Sequence, residues 1–402
     1  MIQSFFADIP APVRLKNPLD LPPPLSEPEL IQALTEQSEK NREATSFLGA
    51  GCYKHFIPSV VNHLVGRSEF YTAYTPYQAE ASQGTLQTIY EYQTMICELT
   101  GMGAANASMY DGATAMAEAA FMACRITGRK EIAVSSAVHP HYRQVLKTYC
   151  KAADLTLTEV PYDQKDGLTT GDCRLKTGGS CFILQQPNFF GNIENIQGQA
   201  AEIHAQGALF IVSVDPISLG LIKPPGEYGA DIVVGEGQAL GNPQNFGGPG
   251  LGLFAVKKEF LRQMPGRIVG ATVDAEGKMG FVLTLSTREQ HIRRERATSN
   301  ICSNEALCAL AACVYLSVMG KAGLKKVAEL CLQKANYVKK ALGEKVLWPT
   351  HSFKEFVVKT DKKVGVPLGR FFPELKGCRL LCITELNKKE ALDQLIAEIA
   401  AA

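Results

Sequence analysis

The sequence predicts an α/β protein, with a mostly parallel sheet covered by helices on both faces and a small C-terminal α+β domain. Two observations predict it. From about Gly101 to Val256, apolar runs of strand length alternate with stretches of helical periodicity. From about Asn304 that alternation stops, and two long helical patterns lead into a shorter mixed segment.

Residues 1–25 are extended and proline-rich, with Pro10, Pro12, Pro18, Pro22, Pro23 and Pro24. Proline fixes φ and removes a donor, so this arm is expected to lie across another surface. Ser26-Glu27-Pro28-Glu29 reads as a capping box opening a helix with Leu30, Ile31 and Leu34 on one face. Residues 46–84, rich in Gly, Tyr and Pro, read as loop. A helix is expected from about Gln83 to Thr100, where Leu86, Ile89, Tyr90, Gln93, Ile96 and Cys97 recur at helical spacing before Gly101. Next come a helix over about Gly112–Thr127, a strand over Ile132–Ser135 and a helix from near His139. Strands are expected at Leu155–Val160, Cys181–Gln185 and Leu209–Val214, with a helix around Ala200–Gln206. Ile232–Val234 and Leu251–Val256 read as the last strands. Helices over Glu305–Val318 and Leu324–Leu342 then lead to the tail. The expected division is 1–45 for arm and first helix, 46–303 for the large domain, and 304–402 for linking helices and small domain.

Bulk properties narrow the function. Hydrophobic residues make up 46% and charged residues 20%, as in ordinary globular proteins. A net charge of +1 supplies no global field to recruit nucleic acid or membrane. The first eight residues lack the layout of a signal peptide, and no apolar run is read as approaching the ~18 residues of a membrane span. None of the 12 cysteines forms a C-x-x-C, and several, such as Cys97, Cys124, Cys308 and Cys313, sit in apolar runs. Free thiols in a reducing cytoplasm are expected, without a metal site.

Several motifs could carry chemistry. Tyr110-Asp111-Gly112-Ala113-Thr114 opens a helix of small residues, whose free N–H groups and positive dipole end suit a phosphate; a plain cap by Asp111 is the alternative. Tyr71, Tyr74 and Tyr77 flank Pro76, followed by Gln78, Ser82 and Gln83, with Thr75 between the tyrosines. They suit a pocket or an interface, or a packed surface loop. His139, before Pro140, could stack on an aromatic cofactor or simply start a helix. Arg288, Arg293, Arg294 and Asn300 lie in a charged segment that could hold an anion or a subunit, or remain solvated. There is no G-x-G-x-x-G, Walker A or G-x-S-x-G motif.

The most informative stretch is the 33 residues between Lys223 and Lys257, which contain no lysine or arginine. It follows Val212-Ser213-Val214-Asp215, an apolar strand ending in a carboxylate. In large α/β enzymes using pyridoxal phosphate, such a carboxylate faces the pyridinium nitrogen, and the Schiff-base lysine follows about one strand later. Here the frame is present and the lysine is absent.

Together, Phe47-Leu48-Gly49-Ala50-Gly51, the Tyr71–Gln83 segment, Ala105–Thr114, Lys223–Asp231 and Arg288–Asn300 resemble the alpha subunit (subunit 1) of glycine decarboxylase, the P-protein of the glycine cleavage system. The resemblance runs from about Phe6 to Leu386. It implies a fold-type I pyridoxal-phosphate architecture and an alpha2/beta2 assembly in which the beta subunit carries the cofactor on its lysine. The complex decarboxylates glycine and passes the aminomethyl group to the lipoyl arm of the H-protein. The resemblance also implies a vestigial cofactor pocket in this chain, formed by Asp111, Gly112, Thr114, His139, Asp215 and Gln238. Tyr71, Tyr74, Thr75, Tyr77, Gln78, Ser82 and Gln83 are expected to reach across the subunit interface. Two departures are noted: the segment ahead of Phe6 is short, and Val357–Gly365 is brief, so a shortened small domain is expected. The competing readings are a stand-alone enzyme using Lys223 or Lys257, and a non-catalytic scaffold for the beta subunit.

Overall fold

The computed structural model of the chain describes residues 5–41, 44–170 and 178–401. The start of the proline-rich arm, residues 1–4, lies outside them. The chain divides into Met1–Thr45 and Ser46–Ala402.

The first unit is the arm and helix α1 (Glu27–Ser38). Its capping box forms: the Glu29 carboxylate accepts from Ser26 N at 2.8 Å and from Ser26 Oγ at 2.6 Å. No residue of α1 is buried, and Leu30, Ile31 and Leu34 are exposed.

The second unit begins with 46–82, which is less irregular than expected. It contains α2 (Ser59–Val65) and α3 (Ser68–Tyr71). Pro58 stands ahead of the first and Gly66 ends it, so each helix is too short for periodicity to reveal. Helix α4 (Gln83–Thr100) ends at Gly101 in the left-handed region (φ 70°).

The chain then runs through β1 (Ala104–Ala105), α5 (Gly112–Thr127), β2 (Glu131–Ser135), α6 (Pro140–Ala152), β3 (Thr156–Val160) and β4 (Gly179–Gln186). It continues with α7 (Gln199–Ala205), β5 (Leu209–Val214), β6 (Ile232–Glu236) and β7 (Gly252–Val256). Among the described residues these seven strands form one sheet in the order β1-β7-β6-β5-β4-β2-β3. The pairs from β6 through β3 are parallel, and β7 runs antiparallel to both neighbours.

Successive strand residues feed opposite faces. Phe182, Leu184, Phe210 and Val212 enter one buried cluster with Tyr92 and Ile96 of α4. Cys181, Ile183, Ile211 and Ile232 enter the other with α5 and α6. Helix α5 approaches the sheet closely because its buried positions include Ala115, Ala117, Ala119, Ala120 and Ala123.

Leu251–Val256 is not the last strand before the helices. A hairpin follows, β8 (Ile268–Val273) and β9 (Met279–Thr284), as a separate two-stranded sheet. Its turn is organised by Asp274, whose Oδ1 accepts from Glu276 N and Lys278 N. Two glutamines of α4 bind it as strands would. Gln93 exchanges two bonds with Val269 (2.9 and 3.0 Å), and Gln83 exchanges two with Phe281 (2.8 and 2.9 Å).

After α8 (Gln290–Arg293) comes α9 (Ala306–Leu342), two helical halves joined at Gly320. The first half holds Leu310, Ala312 and Tyr315 in the large core. The far end holds Ala335, Val338 and Leu342 under the small domain. Within α9 and the turn after it lies an 18-residue window of mean hydropathy 1.7, long and apolar enough to cross a membrane by composition. The expectation that no run approaches the length of a membrane span does not hold by composition. Half of that window is buried against the protein itself, and this burial accounts for its apolar composition.

The small domain has β10 (Glu355–Lys359), β11 (Val366–Pro367) and β12 (Cys378–Cys382) in the antiparallel order β10-β12-β11, covered by α10 (Lys389–Ala400).

Candidate functional site

The residues expected to form a cofactor pocket come from loops at the carboxyl ends of the parallel strands, where open α/β sheets bind ligands. Asp111 caps α5, its Oδ1 accepting from Thr114 N at 2.7 Å. Gly112 N does not await an anion. It donates to Glu236 Oε2 at 3.0 Å, while Glu236 Oε1 accepts from Gln238 N (2.9 Å) and Leu251 N (2.8 Å). Glu236 is the last residue of β6, so the sheet delivers a carboxylate to the helix terminus where a phosphate would bind. Burial raises its pKa, opposed by these three N–H donors.

His139 caps α6 and is 6% exposed. Its Nε2 bonds the Ala50 carbonyl at 2.8 Å, and its Nδ1 accepts from His141 N at 3.1 Å. That fixes a neutral ring with the proton on Nε2. Burial lowers its pKa to about 4. The ring stacks, but on Tyr142, with centroids 4.7 Å apart and planes 23° apart. Burial raises the pKa of the Tyr142 hydroxyl, and Glu236, Asp111, Cys52 and Asp215 add negative potential around it. A Cβ on Gly112 would come within 2.6 Å of that hydroxyl oxygen, so the phenol is wedged against the helix end.

Asp215 follows β5 as expected. Its Oδ1 accepts from Ile217 N at 3.0 Å, and its Oδ2 faces Lys354 Nζ at 2.7 Å. Lys354 immediately precedes β10 and is 1% exposed. Its ammonium lies 3.5 Å from the centroid of the Tyr53 ring and 3.0 Å from His55 Nε2. The far side of His55 pairs with Glu385, Nδ1 to Oε2 at 2.7 Å. Burial alone would lower the lysine pKa, but the charge and hydrogen bond of Asp215 together with the Cys382 and Cys331 thiols raise it. Burial would likewise raise Glu385, yet the hydrogen bonds it accepts from His55 Nδ1 and Phe56 N hold it down at about 2. The next residue, Glu355, accepts from Ala50 N and from the Tyr53 hydroxyl, both at 2.7 Å, and burial raises its pKa to about 7.

Gln238, where the lysine was expected, is buried. Its Oε1 accepts from Tyr53 N (2.9 Å), and its Nε2 donates to Tyr53 O (3.1 Å) and Asn242 O (2.6 Å). The loop over residues 50–56 is thus fixed by Gln238 from one side and by Lys354 and Glu355 from the other.

Pyridoxal phosphate does not fit this arrangement. Glu236 takes the phosphate position, Tyr142 takes the stacking face of His139, and the Lys354 ammonium takes the carboxylate meant for the pyridinium. Nor do Lys223 and Lys257 offer a substitute. Lys257 pairs with Asp231 just ahead of β6, at the amino ends of the parallel strands, and Lys223 pairs with Glu227 at 3.8 Å. His55, Cys331 and Glu385 bring one ligand atom each within 4.8 Å of one another. Both ring nitrogens of His55 are nevertheless taken, one by an ammonium that opposes a cation.

The tyrosine loop is a separate region. Tyr71, Tyr74 and Tyr77 are 57%, 75% and 56% exposed, and Gln78 is exposed. Thr75 Oγ1 is buried without a hydrogen-bond partner. Ser82 precedes α4 without a side-chain cap bond, and Gln83 is committed to β9.

The loop meets the charged segment through Tyr77, whose ring lies 6.1 Å from His291 and 5.6 Å from the Arg267 guanidinium. Arg267 is buried. It donates to Tyr77 Oη (3.3 Å), Cys302 O (2.8 Å) and Ser303 Oγ (3.0 Å), and lies 3.6 Å from Glu289. Arg288 is buried too, bound to the carbonyls of Leu285, Met264 and Gly266. Arg293, Arg294 and Asn300 are exposed.

Sequence reasoning missed Tyr142, Glu236, Lys354, Glu355 and Arg267. Tyr142 stood in the His139-Pro140-His141-Tyr142-Arg143 motif and Glu236 beside Gly235, two residues from Gln238, but neither was assigned a role. Lys354 and Glu355 reach the large domain from more than a hundred residues away in sequence, and no local pattern marks them.

A family model described as "Glycine cleavage system P-protein" matches residues 1–397. A protein of Moorella thermoacetica named probable glycine dehydrogenase (decarboxylating) subunit 1 is 53% identical, over 98% of this chain and 94% of its own length. The protein of the same name from Desulforamulus reducens is 52% identical over the same shares. A crystal structure of glycine decarboxylase (P-protein) of the glycine cleavage system, in inhibitor-bound form, matches with a TM-score of 0.92 at 42% identity. It covers 100% of this chain and 95% of that one. Sphingosine-1-phosphate lyase of Burkholderia pseudomallei shares the fold at a TM-score of 0.65 and 13% identity. The architecture is that of fold-type I pyridoxal-phosphate enzymes. By its fold, its family match and these full-length relatives, the chain belongs to the P-protein family of the glycine cleavage system.

Proposed function

We propose that this chain is subunit 1 of a cytoplasmic glycine dehydrogenase (decarboxylating). With a beta subunit it decarboxylates glycine and passes the aminomethyl group to the lipoyl arm of the H-protein. Pyridoxal phosphate is carried by the beta subunit, in an alpha2/beta2 complex. The observation that carries this division of labour is the filling of the chain's own cofactor place by Glu236, Tyr142 and Lys354.

This chain's contribution is part of the wall around the beta subunit's cofactor. Exposed Tyr71, Tyr74 and Gln78, the unpartnered Thr75 hydroxyl and the Arg267-held Tyr77 are polar groups on aromatic or rigid supports, which suit a substrate wall at an interface. The exposed apolar side chains of the arm, among them Val13, Leu15, Leu19 and Leu21, suit a partner's surface.

Glycine–bicarbonate exchange tests the reading. The chain alone is expected to be inactive and the reconstituted complex active. Tyr77→Phe or Gln78→Ala should lower exchange by about ten-fold through lost positioning. Full activity of both variants in an intact complex would leave the scaffold reading instead.

A further inference from the structure

The small domain carries a second feature that the glycine chemistry does not use. Between Lys359 and Arg379 stand six basic residues, Lys359, Lys362, Lys363, Arg370, Lys376 and Arg379, against Asp361 and Glu374. The whole chain has a net charge of only +1, so this segment concentrates positive charge. Glu374 is already engaged by the Tyr162 hydroxyl at 2.5 Å.

A cavity of about 470 Å³ opens among Thr360, Asp361, Arg370, Lys376 and Arg379. Its size falls in the range of small-molecule sites. A second cavity of about 380 Å³ shares Lys376 and Gly377 with it and adds Lys359.

The cavity wall is built from pinned turns. Thr360 N donates to Gly377 O at 3.1 Å, and Phe371 N and Phe372 N both donate to Leu368 O at 2.9 Å. The turns are anchored on buried Leu368, Phe372 and Leu375. The Arg370 guanidinium lies 4.7 Å from the centroid of the Phe371 ring, which limits its freedom. Arg379 is half-buried on β12. Among the described residues none of Arg370, Lys376 and Arg379 pairs with a carboxylate, although ion pairs occur elsewhere in the chain. Two arginines and a lysine against the one carboxylate of Asp361 in the lining of a single cavity match a multivalent oxyanion, since guanidinium binds phosphate and carboxylate oxygens in bidentate fashion.

We propose that this cavity is an anion-binding site of the small domain, taking a small oxyanion of two or more charges such as a phosphate ester, a diphosphate or a polycarboxylate. Calorimetric titration of the full chain with pyrophosphate at low ionic strength tests it. Inorganic phosphate and citrate are separate arms that distinguish phosphate from carboxylate selectivity. Saturable binding at one site per chain is expected, weakening as salt screens the charges. Arg379→Gln and the more exposed Arg370→Gln should each weaken binding by about ten-fold, the scale of one charge-assisted hydrogen bond. Lys147→Gln, on α6, should leave it unchanged. Failure of all three anions to saturate overturns the proposal. So does unchanged affinity in a folded Arg370→Gln variant, or an equal loss in Lys147→Gln.

Discussion

Lys354 and Glu355 are adjacent in sequence, yet burial acts on them in opposite ways. Lys354 stays charged because Asp215 lies 2.7 Å away. Replacing it by Met would strand a buried carboxylate, at a cost of about 3–5 kcal/mol in denaturant unfolding. Lys354→Met combined with Asp215→Asn should recover much of that loss, because the double variant has no unpaired charge. Glu355 has no such partner, and burial raises its carboxyl pKa to about 7 from an ordinary value of 4.5. The folded state therefore holds a proton that the unfolded state has lost between those two values. The stability from that proton is complete below the lower value and is lost as pH rises through 7. Glu355→Gln removes the titration. Its melting temperature, relative to the unsubstituted chain, should rise between pH 5 and pH 8. A constant difference across that range would show that the carboxyl is not titrating there.

At the scale of elements, most of the sheet and its helices were legible, because each strand or helix is long enough to state its own period. Helices α4 and α5 begin and end where Gln83, Thr100, Gly112 and Thr127 suggested. The β8–β9 hairpin was missed. Its pairing is set by Asp274 and by glutamines nearly two hundred residues away on α4, a tertiary arrangement that local sequence does not encode. The expected cofactor pocket was half legible. Asp111, His139 and Asp215 announced themselves at strand and helix ends, whereas nothing in the sequence marked Tyr142, Glu236 or Lys354 as the groups that occupy the space between them. The two halves of α9 were expected, and Gly320 joins them at φ 58° and ψ −176°, a conformation essentially restricted to glycine. Gly320→Ala should destabilise the protein by about 1–3 kcal/mol in denaturant unfolding. An unchanged midpoint would mean that the joint relaxes without cost.

At the scale of the whole molecule, the proposal is that a fold of the pyridoxal-phosphate type keeps its frame while its own side chains fill the cofactor place. The strand order, the helix terminus at Gly112 and the carboxylate at Asp215 remain, and each is satisfied internally. That internal satisfaction turns a would-be site into part of the core. It directs attention outward, to the tyrosine loop and to the charged segment that Arg267 ties to it. The most direct measurement is borohydride reduction of the reconstituted complex in the presence of pyridoxal phosphate, followed by peptide mapping of both subunits. The account predicts pyridoxyl-lysine in the beta subunit alone. Pyridoxyl-lysine anywhere in this chain, Lys354 included, would contradict it.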